Sequence, residues 1–163
     1  GCDFEPPGAY AAFHDYCDLR YTQLDHLVAL PYEKESFHAI IGSGALEHVA
    51  MDYESLKEIH RVLRPGGRLI ITYLPNWLSV AEWRNRVLLK RNAHQRLYGI
   101  GQLKQLLLHT GFAPLEVRYH TFFWERKLEA VGLLGLHGIF KTLAPIQKIS
   151  STLCAVAQKC LVM

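Results

Sequence analysis

The 163 residues predict an α/β sandwich on a mainly parallel sheet, with one strand antiparallel at an edge. Three observations carry this. Short apolar or β-branched runs alternate with segments of helical spacing. The run Arg68-Leu69-Ile70-Ile71-Thr72-Tyr73-Leu74 is nearly continuous in apolar character, as in a strand covered on both faces. The connection to the last apolar run is short, which suits a strand turned back against its neighbours.

The elements follow in order. Pro6-Pro7-Gly8 breaks the chain, Pro7 or Gly8 suits a helix start, and Ala9 to Tyr16 is compatible with a short helix. Leu19 to Leu24 alternates apolar and polar residues like a half-buried strand and ends at Asp25. The polar loop Leu30 to Ser36 leads into Phe37 to Ile41, too short for a typical helix and carrying two isoleucines, so a buried strand is expected. Asp52 is a plausible N-cap for a helix bearing Leu56, Ile59, Val62 and Leu63 on one side, with Arg61 and Arg64 in its last turn. Pro65-Gly66-Gly67 ends that helix and turns the chain into Arg68 to Leu74. Helices are expected over Ser79 to Leu97 and Gln102 to His109, a strand over Phe112 to Trp124, a helix over Arg126 to Leu143 closed near Pro145, and a final strand over Leu153 to Ala157.

Composition bounds the function. Half the residues are hydrophobic and one-fifth charged, an ordinary globular balance, and the net charge of +3 is mild. The basic residues between Arg84 and Arg96 have the mixed spacing of a solvated helix face, so no nucleic-acid partner is expected. Cys2, Cys17, Cys154 and Cys160 have neither a C-x-x-C pair nor zinc spacing, and they fit reduced, partly buried thiols. The longest apolar run, Ala130 to Phe140, is about half a bilayer span, so no transmembrane segment and a cytoplasmic location are expected.

The chemistry concentrates after the run Phe37 to Ile41. Gly42 and Gly44 permit a sharp turn or a close ligand approach, and Glu47 and His48 follow. In an open parallel sheet ligands bind at the carboxyl ends of strands, where this turn falls; a tight polar loop is the plainer reading. Asp3 and Asp25 also fall at strand ends. One carboxylate there can accept bonds from a ribose diol and a second from an adenine amine, while Phe4 offers an apolar face to a base. Acids also cap helices and decorate turns, so each taken alone is ambiguous.

Together, Gly1-Cys2-Asp3-Phe4, Leu24-Asp25, Leu30-Pro31-Tyr32, Ser36 to Ile40, Ala45-Leu46-Glu47-His48-Val49 and Leu56 to Leu69 resemble a class I S-adenosylmethionine-dependent methyltransferase of the small-molecule, type 11 branch. The resemblance implies a Rossmann-like sandwich and methyl transfer from S-adenosylmethionine to a small acceptor. By position it implies that Asp3 binds the cofactor ribose and Phe4 packs on adenine. Asp25, with His26 beside it, meets the adenine amine, and Gly42 and Ser43 pass the methionine part. Glu47 and His48 face the acceptor, and His48 suits a general base because imidazole titrates near working pH; capping or packing at the next helix is the alternative. In ubiquinone-type relatives a glutamate three residues before this Glu joins the pair on a metal. Gly44 stands there, and one carboxylate with one imidazole makes a poor cage, so no metal is expected.

The resemblance also implies a preceding strand and an acid-x-Gly-x-Gly loop, absent from these residues. The expectation is therefore that residues 1–163 are the C-terminal part of one methyltransferase domain lacking its first strand, with about 76–147 a variable substrate or lid region and activity residing in the full-length parent. A methyltransferase-like interaction protein that binds no cofactor is the competing reading. The aromatic and apolar stretch from Tyr119 to Phe140 suits a lid or core helix; a lipid-like acceptor or peripheral membrane contact is the weaker alternative. The acceptor atom and oligomeric state are not legible.

Overall fold

A computed structural model describes residues 1–18, 20–88, 94, 96–120, 148, 150 and 152–160. Strands β1 (Cys2–Asp3) and β2 (Thr22–Gln23) pair in parallel as a small sheet. A four-stranded sheet has the order β3-β4-β6-β5, formed by β3 (Phe37–Ser43), β4 (Leu63–Pro75), β5 (Phe112–His120) and β6 (Thr152–Lys159). Strand β3 runs parallel to β4, and β6 runs antiparallel to both β4 and β5. The expected antiparallel strand is present, but it lies between β4 and β5 rather than at the edge. Its backbone pairs on both sides, Val156 lying opposite Ile70 of β4 and Ala155 opposite Val117 of β5.

Helix α1 (Asp52–Val62) connects β3 to β4 and covers the sheet with Leu56 and Val62, both fully buried. Its N-cap is Met51, which provides no side-chain cap; Asp52 is the first helical residue, and its carboxylate accepts the Tyr53 amide at 2.9 Å. The helix ends at Val62, and Arg64, expected in the last turn, reaches back to the Glu35 carbonyl and His38. The irregular stretch Arg64–Gly67 interrupts the β3–β4 register before regular pairing resumes at Ala39 and Arg68. Helix α3 (Ile100–His109) buries Leu103 and Leu107. The core joins these helices to the sheet through Leu63, Leu69, Ile71, Leu74, Tyr98, Phe112 and Leu153.

Several sequence expectations change. Ala9 to Tyr16 lies in a 3-10 helix over Pro7–Asp15, and the strand expected over Leu19 to Leu24 is only the two residues of β2. Strand β3 is not a buried strand: Phe37 and Ile40 pack on the core, whereas Ile41 is 68% exposed. Of the helix expected over Ser79 to Leu97, the described residues form α2 (Val80–Trp83) and a π-helical turn (Arg84–Leu88), and residues 89–93 and 95 lie outside the described residues. Trp83, Val87 and Leu88, part of its apparent apolar stripe, are exposed, so these residues supply no core packing. Finally, β4 is covered less completely than its composition suggests, since Arg68 and Tyr73 are exposed. Tyr73 takes a left-handed φ of 59° where the β4–β6 register shifts, the signature of a bulge. Residues 121–124 of the expected fifth strand, the helix over Arg126 to Leu143 and Pro145 lie outside the described residues. Cys17 and Cys160 are exposed rather than partly buried.

Candidate functional site

A cleft of about 460 Å³ opens where β1 and β3 end, lined by Asp3, Phe4, Leu24, Ser43, Gly44 and His48 among others. Each of these two strands has a parallel partner, and the loops that follow them meet at this cleft.

The first wall is fixed by hydrogen bonds around Asp3. Its Oδ1 accepts the Phe4 amide at 2.7 Å and its Oδ2 the Tyr10 hydroxyl at 2.7 Å. That bond to Asp3 pushes the Tyr10 phenol up to about 12. The Tyr21 hydroxyl donates to the carbonyls of Asp3 and Glu5, and Gln23 Nε2 donates to the Phe4 carbonyl at 3.1 Å. Burial comes first in raising the Tyr21 phenol, followed by the charge of Asp3. Asp3 stays exposed and Phe4 is 45% exposed, so carboxylate and ring both remain available to a ligand.

The second wall follows from β3. Gly42 and Ser43 are its last residues, paired with Ile71 and Thr72, and the turn begins at Gly44. Gly44 adopts φ of 59°, and its amide donates to the Thr72 carbonyl at 3.0 Å. Such a φ favours glycine, which explains the residue here without reference to a metal. The chain then buries Leu46 and Glu47 and leaves His48 with its side chain 67% exposed.

The fold therefore brings Asp3, Phe4, Ser43 and His48 to one cleft. Gly42 stands one residue back in the strand, and a Cβ built on it meets nothing within 4 Å. Glu47 lies beside His48 but is buried, its Oε1 3.8 Å from His48 Nε2. Asp25 is exposed in the loop after β2 and does not line the cleft; Leu24 and Leu27 do. His26 Nδ1 accepts the amides of Val28 and Ala29 at 3.1 and 2.9 Å and shapes its own loop.

Sequence reasoning missed four residues that organise this region. Arg96 donates to the carbonyls of Val49 and Ala50 at 2.8 and 2.9 Å, and Tyr98 donates to Leu46 and Asp52, so the loop carrying Glu47 and His48 is clamped from behind. Burial comes first in raising the Tyr98 phenol above its ordinary range. Glu82 Oε1 sits 2.9 Å from His94 Nδ1, and the rings of His94 and His48 are 5.7 Å apart. A continuous helix over Ser79 to Leu97 sets Glu82 and His94 about 18 Å apart, so no spacing signal points to this pair.

Against known proteins, the fold has clear counterparts. An S-adenosylmethionine-dependent methyltransferase structure from Mesorhizobium loti superposes with a TM-score of 0.63 at 18% identity, over 98% of this chain and 79% of that one. The chain thus has the class I S-adenosylmethionine-dependent methyltransferase fold. Its first 71 residues match the family described as "Methyltransferase domain". Demethylmenaquinone methyltransferase of Symbiobacterium thermophilum is 40% identical over 55 residues, 34% of this chain and 22% of that protein. The protein of the same name from Thermus thermophilus is 36% identical over 80 residues, 46% of this chain and 36% of that one. The curated relatives are matched over 22% to 36% of their own length.

Proposed function

We propose that the full-length protein transfers a methyl group from S-adenosylmethionine to a small-molecule acceptor, and that the cleft between β1 and β3 receives the cofactor. The observation that carries this reading is the convergence of Asp3, Phe4, Ser43 and His48 at parallel strand ends. The residues suit the group. A carboxylate has about four lone-pair sites, and Asp3 uses one on each oxygen for Tyr10 and Phe4, so capacity for a ribose diol remains. Phe4 offers an apolar ring to adenine, and the Ser43-Gly44 turn gives the methionine part close access to backbone. Asp25 and His26 lie outside the cleft lining, in the loop after β2 that brings Leu27 to it.

When bound, the cofactor supplies a methyl group on a sulfonium sulfur. The chain's own contribution is to orient donor and acceptor for direct displacement and to accept a proton where the acceptor is a hydroxyl. We assign that proton to His48, whose side chain is exposed on the cleft wall with the buried Glu47 beside it. Residues 76–147 supply the acceptor side. The two demethylmenaquinone methyltransferases among the relatives favour a small-molecule acceptor, and the exposed Trp77, Leu78, Trp83 and Leu88 favour an apolar, lipid-like one. Among the described residues no helix is long and apolar enough to cross a membrane.

Methyl-labelled S-adenosylmethionine incubated with the full-length protein and a panel of hydroxylated aromatic acceptors tests the reading. Label passing into at least one acceptor, and lost on His48→Ala with a hydroxyl acceptor, is the expected result. Cofactor binding with no transfer to any acceptor class contradicts it.

A further inference from the structure

Around His48 on the cleft wall, Glu47, His48 and His94 each place one potential ligand atom so that all three atoms lie within 4.8 Å of one another. The sequence supplies only the adjacent Glu47 and His48, too few for a metal; the fold adds the third side chain from 46 positions away. A second observation points to a bound cation. Glu47 is 6% exposed, and its Oε2 is buried without a hydrogen-bond partner. An ionised carboxylate out of contact with water is costly unless a positive charge or donors meet it. His48 Nε2 stands 3.8 Å from Glu47 Oε1, too far for a hydrogen bond but near enough to share a cation.

We propose that Glu47, His48 and His94 hold a divalent first-row transition-metal ion, with Glu82 fixing the ring of His94. Glu82 Oε1 is 2.9 Å from His94 Nδ1, and Glu82 Oε2 accepts the His94 amide at 3.3 Å, so one carboxylate grips both ring and backbone. A proton held on Nδ1 by that carboxylate leaves Nε2 with its lone pair, the usual carboxylate–histidine–metal relay. Glu82 is itself held in place: its amide donates to Ser79 Oγ at 3.1 Å, and the residue is 9% exposed.

The donor set selects the ion. Calcium takes six to eight oxygens and magnesium a near-octahedral oxygen shell, and neither suits two imidazoles and one carboxylate. Zinc, cobalt, nickel and iron(II) do. Three protein ligands also leave a position open for water or another small ligand. His48 cannot serve both as ligand and as base through one nitrogen, so in the metal-loaded protein its Nε2 takes no proton.

Titration of the chelator-treated full chain with cobalt(II), followed by visible d–d absorption, tests the site without reference to methyl transfer. The expected result is a band saturating at one equivalent and erased by zinc(II). His94→Ala and His48→Ala remove the band, while Glu82→Gln weakens binding roughly 10- to 100-fold. His109→Ala, on the exposed end of α3, leaves it unchanged. Circular dichroism checks each fold; should His94→Ala unfold, His48→Ala decides between the outcomes, because its side chain is 67% exposed. No saturable band, or a band kept by both histidine variants, overturns the site. Failure here with cofactor binding intact overturns the metal and leaves the methyl-transfer reading standing.

Discussion

The Tyr98 hydroxyl donates to Asp52 Oδ2 at 3.0 Å and to the Leu46 carbonyl at 3.3 Å. Tyr98 is fully buried and bridges in parallel to Asn76 at the end of β4, so this phenol ties the loop bearing Glu47 and His48 to the sheet. Tyr98→Phe keeps the ring and removes the tie. The expected loss is about 0.5–1.5 kcal/mol of stability, the ordinary net worth of such a bond. Amide exchange over residues 46–52 should quicken while α3 stays protected. Unchanged exchange in that loop means the phenol does not clamp it.

Arg61 and Glu58 staple the loop before β3 to α1. Arg61 Nε and a terminal nitrogen donate to the two Glu58 oxygens at 2.8 and 2.7 Å, and its guanidinium also reaches the carbonyls of Leu30 and Tyr32. The Glu58 carboxylate in turn accepts the Leu30 amide at 2.9 Å. The bond from Arg61 holds the Glu58 carboxyl below its ordinary value of 4.5. A lowered folded-state value contributes stability above pH 4.5, and that contribution is lost as pH falls through the lower folded value. Arg61→Ala should therefore cost about 1–2 kcal/mol at neutral pH, discounted for partial exposure. In urea titrations the gap between wild type and variant should narrow as pH falls below that ordinary value. A gap independent of pH assigns the loss to something other than this pair.

Gly67 packs against backbone. An added Cβ lies 2.8 Å from the Arg64 carbonyl oxygen and 3.1 Å from that of His38. Neither can move aside without disturbing the turn before Arg68 or the β3 strand. Gly67→Ala should destabilise by about 1–3 kcal/mol, the cost of overpacking. By contrast, Gly42→Ala meets open space and should leave the melting temperature nearly unchanged. Equal melting of the two variants means that the close carbonyls at Gly67 give way without cost.

The sequence legibility of this fold follows from where the chain makes local commitments. Helix α1 and the regular part of β4 are readable because Leu56, Ile59 and Val62 keep helical spacing and Leu69 to Thr72 keep β-branched continuity. Asp3, Phe4, Ser43 and His48 are readable as a group because each sits at or just beyond a strand end, and strand ends are what a parallel sheet gathers. The position of β6 between β4 and β5 is a tertiary choice made by long-range pairing, which no local pattern encodes. Glu82 and His94 are hidden by a physical ambiguity: Val80, Trp83 and Val87 mimic a buried helix face, yet they are exposed to solvent. Arg96 falls within the expected helix and Tyr98 just beyond it, whereas each acts by reaching a loop some 46 residues earlier.

The cleft between β1 and β3 is proposed to bind S-adenosylmethionine through Asp3. The most direct test is calorimetric titration of the full-length protein with S-adenosylmethionine, alongside Asp3→Asn. Saturable one-to-one binding is expected, weakened in the variant roughly 10- to 150-fold, the equivalent of about 1.5–3 kcal/mol for bonds to a charged acceptor. Absence of binding at millimolar cofactor, or equal affinity in the variant, contradicts it.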